Sequence, residues 1–189
     1  MRVVAGTYGG RTLTAPKGDH ARPTSDRVKE SLFAILRADV PDAAVLDLYA
    51  GSGALGLEAL SRGARHVTFV DRNPRSIAAI RANLRALDVP AEAATVVKSP
   101  VMAWLNGPSP TEPTYGLVLL DPPYDTPDAS AALQTLADHA ALSDQVTVVA
   151  EHARNANIAD VYGRLERTRT QRYGDTSLSF FSGAPSDVS

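Results

Sequence analysis

The chain contains no cysteine in its 189 residues. Disulfide bonds, thiolate metal sites and cysteine nucleophiles are therefore excluded. The few histidines are scattered along the chain without the spacing of a metal-ligand set. They are His20, His66, His139 and His152. We therefore expect a protein that works without a metal ion.

Long apolar runs are also missing. The opening residues, MRVVAGTYGG, lack the apolar stretch of a signal peptide. No segment approaches the length of about 20 apolar residues that a membrane-spanning helix needs. These absences predict a cytoplasmic protein with no membrane partner.

Basic residues outnumber acidic ones in the first 40 residues but not in the rest of the chain taken together. The net charge is −2, yet residues 1–40 hold seven basic and four acidic residues, and the remaining 149 hold twelve and seventeen. Such an asymmetry indicates a basic extension on an acidic body. It favours a polyanionic partner for the first 40 residues.

The order of sequence patterns predicts the fold class. From Val45 onward, short β-prone runs alternate with segments of helical spacing, which predicts a doubly wound α/β domain with a mostly parallel sheet. Near the end, the runs 164–172 and 176–181 flank Tyr173-Gly174-Asp175 and predict a closing hairpin. We count seven strands in this sheet.

The amino-terminal part has a different pattern. Two β-prone runs, residues 2–6 and 11–16, predict a β-hairpin, and a helix capped by Thr24 or Ser25 follows it to about residue 38. Length suits one domain with a small appendage. We therefore divide the chain into an extension (1–40), a cofactor-binding domain (41–182) and a flexible tail (183–189).

One stretch, residues 45–56, reads VLDLYAGSGALG and predicts a strand, a tight glycine turn and a helix. Glycines permit a sharp turn and close approach of a ligand, and the start of the helix offers unpaired N–H groups. The spacing fits G-x-G-x-x-G, so a dinucleotide is one reading. Asp47 and Tyr49 before the first glycine favour S-adenosylmethionine (AdoMet), because D-x-[FY]-x-G-S-G looks like motif I of AdoMet methyltransferases. The candidate cofactor residues here are Asp47, Tyr49, Gly51, Ser52 and Gly53.

Asp71 ends the second predicted strand, twenty residues after Gly51. A carboxylate at this place can accept hydrogen bonds from both hydroxyls of a ribose. Dinucleotide and AdoMet enzymes share this feature, so Asp71 indicates a ribose without choosing the cofactor. Arg72, beside it, is assigned to the same site.

The choice of cofactor rests on Asp121-Pro122-Pro123-Tyr124, which follows a buried strand. This sequence is the DPPY motif of methyltransferases that act on amino groups of nucleic acids. Asp121 and the Pro122 carbonyl can accept N–H bonds from an exocyclic base amine, the prolines stiffen the loop, and Tyr124 can stack on an extruded base. We assign these four residues as catalytic, with Asp121 also next to the cofactor.

The chain resembles the bacterial RsmD family, whose members methylate a guanine N2 of 16S ribosomal RNA. The resemblance is carried by residues 22–30 (RPTSDRVKE), by residues 50–64 (AGSGALGLEALSRGA), by the DPPY motif and by Arg172-Tyr173-Gly174, and it spans nearly the whole chain. It implies a class I, Rossmann-like AdoMet fold, S-adenosylhomocysteine as product, 16S rRNA within the small ribosomal subunit as substrate, and a monomer. Ser99 stands where many methyltransferases place an acidic residue near the adenine.

The basic residues of the extension are the candidate RNA contacts, since Lys and Arg neutralise phosphates. They are Arg2, Arg11, Lys17, Arg22, Arg27 and Lys29, with Thr24 among them. Three other functions stay open at this point: a DNA adenine-N6 methyltransferase, a dinucleotide-binding oxidoreductase, and a non-catalytic RNA-binding protein with a relic cofactor site.

Overall fold

The structure, a computed structural model, describes residues 1–16, 25–123 and 128–183. The predictions made for Lys17, Arg22, Thr24 and Tyr124 lie outside the described residues. No helix in the described part of the chain is long and apolar enough to cross a membrane.

Within the described ranges, eight strands form one sheet in the order β3-β2-β1-β4-β5-β8-β7-β6. The first five strands of the chain run parallel, and the last three join antiparallel. The predicted fold class is confirmed, with one strand more than expected, because β6 has only two residues and carries no readable pattern. The strands are β1 Ala44–Leu48, β2 His66–Asp71, β3 Ala94–Lys98, β4 Tyr115–Leu120, β5 Leu142–Ala153, β6 Val161–Tyr162, β7 Leu165–Tyr173 and β8 Thr176–Gly183.

Five α-helices of the described residues cover the two faces of the sheet. They are α1 Asp26–Ile35, α2 Ala54–Ser61, α3 Pro74–Ala86, α4 Val101–Leu105 and α5 Asp128–Leu136. Their starts follow local chemistry: Ser25 Oγ accepts the Val28 N–H, and Asn73 Oδ1 accepts the Arg75 N–H with proline at the first helical position. These caps set where α1 and α3 begin.

The central strands separate two apolar cores. In β1, Leu46 and Leu48 pack with α4 and α5 on one face, and Val45 packs on the other face with residues of α1, α2 and the amino-terminal segment. All five residues of β1 are buried. Burial on both faces is typical of a central parallel strand, and it explains why β1 is apolar apart from Asp47.

The first sixteen residues, called here the N-terminal arm, form a hairpin with less strand pairing than predicted. A single antiparallel bridge joins Arg2 and Thr12, and Val3 exchanges backbone hydrogen bonds with Gly10 and Arg11 at 2.9 and 3.0 Å. Val3 and Leu13 are buried in the same core as α1 and α2. The arm is therefore packed onto the sheet domain along its length.

Candidate active site

The candidate site lies at the carboxyl ends of three neighbouring parallel strands, β2, β1 and β4. Leu48 of β1 is in register with Val70 of β2 and with Leu120 of β4. The glycine turn, Asp71 and Asp121 follow these positions directly, so they meet at one edge of the sheet. Ligands of open α/β sheets bind at this edge.

The turn after β1 has the backbone that its glycines permit. Gly51 and Gly53 have φ of +55° and +78°, and the Gly53 N–H donates to the Ala50 carbonyl at 2.7 Å. Gly53 caps α2 without a side-chain hydrogen bond. Apart from the two chain neighbours of Gly51, the described atom nearest to its Cβ position is the Tyr49 carbonyl oxygen, at 3.9 Å. The turn therefore leaves open space next to Gly51, where a ligand can approach the backbone.

Asp71 stabilises this turn through hydrogen bonds. Its Oδ2 accepts the Gly51 N–H at 2.9 Å, and its Oδ1 accepts the Asn73 N–H at 2.7 Å. Each carboxylate oxygen has two acceptor sites, so both oxygens can still accept a hydroxyl hydrogen. Ser99 is adjacent, since its N–H donates to the Asp71 carbonyl at 3.0 Å, and Arg72 is exposed to solvent.

Asp47 is a buried carboxylate that links β1 to the first turn of α2. It is 2% exposed and accepts the Gly56 N–H of α2 at 2.9 Å. Burial raises the pKa of Asp47 to about 8, with a smaller contribution from the charge of Asp71. Asp47 therefore holds α2 next to the turn, and the cofactor contact predicted for it from the sequence stays a prediction. Tyr49, which also precedes the turn, is half-buried, and burial raises its pKa to about 12.

Asp121 follows β4, and its N–H donates to the Leu48 carbonyl at 3.3 Å. Pro122 is buried and Pro123 is exposed. Burial, the neighbouring Glu151 and Asp47 together raise the pKa of Asp121 well above that of an ordinary aspartate. A carboxylate with high proton affinity is a strong hydrogen-bond acceptor for an amine.

Glu151 was not among the site residues predicted from the sequence. Ala150 is in register with Leu120, so Glu151 lies opposite Asp121, and it is 6% exposed. The available signal was a carboxylate directly after the apolar run 146–150, at the same edge as Asp121. Its pairing with β4 depends on register, which the local sequence does not state.

The basic residues of the N-terminal arm and α1 differ in exposure. Arg27 is exposed; Arg2 is exposed and pairs with Asp26 at 2.9 Å; Arg11 is exposed and donates to the Ala86 carbonyl. Lys29 is fully buried; its ammonium donates to the Arg2 carbonyl and lies 3.5 Å from Asp26 Oδ1. The prediction of a phosphate contact at Lys29 is therefore corrected: this side chain holds the arm against α1.

Comparison with known proteins identifies the family of this chain. The family described as “Conserved hypothetical protein 95” matches residues 1–182. The Ribosomal RNA small subunit methyltransferase D of Haemophilus influenzae is 35% identical over 151 residues, which cover 80% of this chain and 78% of that protein. The corresponding Escherichia coli K12 protein is 36% identical, with 80% and 74% covered.

A solved structure of yhhF from Escherichia coli is 30% identical and superposes with a TM-score of 0.84, covering 98% of each chain. The match therefore includes the N-terminal arm and the closing hairpin, in addition to the sheet. The chain belongs to the Conserved hypothetical protein 95 family, the RsmD family of the sequence analysis, and has the class I methyltransferase fold.

Proposed function

We propose that this protein transfers a methyl group from AdoMet to the exocyclic N2 of a guanine in 16S rRNA, within an assembled or assembling small ribosomal subunit. The observation that carries the proposal is the meeting of the glycine turn, Asp71 and the Asp121-Pro122-Pro123 segment at one sheet edge. Ribosomal RNA as substrate is supported by the names of the two relatives that are small subunit methyltransferases.

The residues present fit AdoMet. Asp71 offers acceptors for the ribose hydroxyls, the open face of Gly51 allows close approach, and the N-cap residue of α2 is Gly53, which has no side chain to cover the first N–H groups of the helix. The arrangement suits a nucleoside with an anionic group near the helix start. When bound, AdoMet supplies a methyl group made electrophilic by its sulfonium.

The chain's own contribution to chemistry is to hold the amine. The lone pair of an exocyclic amine is delocalised into the base, so the nitrogen is a poor nucleophile. Asp121 and the carbonyl of Pro122 can accept its two hydrogens and favour tetrahedral geometry. Methylation would replace the bond between the methyl carbon and the AdoMet sulfur by a carbon–nitrogen bond and leave S-adenosylhomocysteine. The methylated nitrogen would then be acidic, and Asp121, whose pKa is raised, is suited to hold the proton that it releases.

The product of methyl transfer tests this function directly. We expect tritiated methyl groups from AdoMet to appear as N2-methylguanine in purified small subunits, and less in naked 16S rRNA. A particle can present the base already unstacked, which lowers the cost of extrusion. Label found as N6-methyladenine in duplex DNA would replace this function by the DNA methyltransferase alternative.

Replacement of Asp71 tests the cofactor site. Asp71→Ala should weaken AdoMet binding by about 10- to 100-fold, because hydrogen bonds to a charged group contribute about 1.5–3 kcal/mol each. Isothermal titration calorimetry measures this change. Asp144→Ala, which removes an exposed carboxylate elsewhere, is the matched control and should bind as the wild type does. Equal affinity of Asp71→Ala and the wild type would remove Asp71 from the site.

A further inference from the structure

Asn83 occupies an apolar position of α3. It follows Ile77 and Ile80 at helical spacing and is 1% exposed. A side-chain amide in a core destabilises the fold unless its hydrogen bonds are made. Its partners therefore indicate why an amide stands there.

Those partners belong to two different segments. Asn83 Nδ2 donates to the Ser52 carbonyl and to the Thr14 carbonyl, each at 3.0 Å, and its Oδ1 accepts the Thr14 N–H at 2.8 Å. Both donors and the acceptor are used. One buried side chain thus joins α3, the glycine turn and the N-terminal arm.

In the turn, the bond to the Ser52 carbonyl fixes a peptide plane between two glycines. Gly51 and Gly53 allow a wide range of backbone φ and ψ angles. The orientation of the peptide plane therefore depends on the groups that form hydrogen bonds with it. The Asp71 carboxylate holds the Gly51 N–H on one side, and Asn83 holds the Ser52 carbonyl on the other. Asn83 therefore helps to preform the part of the site that faces the cofactor.

In the arm, Asn83 pairs with both backbone groups of Thr14, three residues before Lys17. The arm also carries the exposed Arg2 and Arg11. A second contact joins the arm to the turn, since Ser52 Oγ donates to Met1 Sδ at 3.3 Å. The other side of the arm is fixed by Glu58 of α2, which accepts the N–H groups of Val4 and Ala5 at 2.7 and 3.1 Å.

We propose that Asn83 is a positioning residue that ties the cofactor turn to the N-terminal arm, so that the cofactor and the RNA bind cooperatively. The inference rests on the proposed function, in which the arm contacts RNA. When the cofactor orders the turn, the Ser52 carbonyl stays hydrogen-bonded to the Asn83 amide. The same amide is hydrogen-bonded to Thr14, so the arm is held in its docked position as well. By linkage, RNA that favours the docked arm must raise cofactor affinity by the same factor.

The coupling is measured as a ratio of dissociation constants. Equilibrium dialysis of radiolabelled S-adenosylhomocysteine, with and without an excess of small ribosomal subunits, avoids turnover. We expect wild-type protein to bind it about fivefold or more tightly when the subunits are present, the lower end of typical coupling. Asn83→Asp keeps the acceptor for Thr14 but loses both donors, and its ratio should fall close to one.

Two controls separate coupling from general loss of stability. Leu84→Ala, the next residue of the same helix, removes core packing without touching these hydrogen bonds and should keep the wild-type ratio. Hydrogen exchange of the wild type needs no variant: S-adenosylhomocysteine alone should slow exchange several-fold in peptides from residues 1–16 as well as around residues 50–56.

The outcomes are distinct. Tight binding of S-adenosylhomocysteine and of subunits with a ratio of one, or protection confined to residues 50–56, overturns the coupling and leaves the proposed function standing. No binding of S-adenosylhomocysteine overturns the proposed function, and the coupling with it. A ratio above about five that Asn83→Asp abolishes and Leu84→Ala retains supports the inference.

Discussion

Replacing Asp121 by alanine should lower the turnover number by about 10²- to 10⁴-fold, the usual contribution of a positioned acid–base group, while AdoMet affinity changes little. The alanine variant has no carboxylate to orient the amine or take its proton. The turn at Gly51 and the Asp71 carboxylate stay in place, because their hydrogen bonds do not involve Asp121.

Single-turnover methyl transfer and calorimetry measure the two quantities separately. Asp144→Ala serves again as the control for loss of an exposed carboxylate. Asp121→Asn keeps one oxygen acceptor but cannot take the proton, so its rate should fall between the wild type and the alanine variant. An alanine variant that methylates at the wild-type rate would remove Asp121 from the chemistry.

The same residue sets an expected pH dependence. The ionised Asp121 accepts the amine hydrogens, so activity should rise with pH through its titration. Burial, Glu151 and Asp47 raise the pKa of Asp121, which places this rise at higher pH than for an ordinary aspartate. Glu151→Gln removes one neighbouring negative charge and should therefore move the acid side of the rate profile to lower pH. An unmoved profile would mean that Glu151 does not act on Asp121.

Local patterns in the sequence were sufficient for much of this architecture. The run at 117–120 in β4 is continuously apolar, and β1 is apolar apart from Asp47, because both faces of those strands are buried. Asn73-Pro74 sets the start of α3 through capping chemistry that is local in the sequence and needs no distant partner. Asp71 and Asp121 could be placed at one edge because parallel strands end on the same side.

The missed features depend on distant contacts. Lys29 looked like a surface cation, yet its ammonium is held by the Arg2 carbonyl, 27 residues away. Asn83 belongs to no motif in the sequence, and its hydrogen-bond partners lie 31 and 69 residues away. Glu151 lies opposite Asp121 only because of the register in which β5 pairs with β4. The sequence pattern predicts which residues are buried, but it does not predict which backbone group will form a hydrogen bond with a buried polar side chain.

Gly56→Ala should destabilise the fold by about 3 kcal/mol, at the upper end of the usual cost of overpacking a core. A Cβ at Gly56 would lie 2.3 Å from Phe69 Cε1, 2.8 Å from Asp47 Oδ2 and 2.8 Å from Val67 Cγ1. These atoms belong to β1 and β2, so α2 would have to move away from the sheet. For a chain of this size, a melting temperature about 6–12 °C lower is expected.

Denaturant unfolding of Gly56→Ala beside Gly116→Ala isolates this steric effect. Gly116 lies in β4, and among the residues that the structure describes, apart from its two chain neighbours, none has an atom within 4 Å of its Cβ position. Its alanine variant should therefore stay within about 0.5 kcal/mol of the wild type. Phe69→Leu removes the ring atom nearest to the added methyl, so in the double variant the two costs should be less than additive. Full additivity, or a Gly56→Ala midpoint equal to that of the wild type, would contradict the close packing of α2 on β2. Because the Asp47–Gly56 hydrogen bond lies at the same contact, the displaced helix should also carry the glycine turn out of position and weaken AdoMet binding.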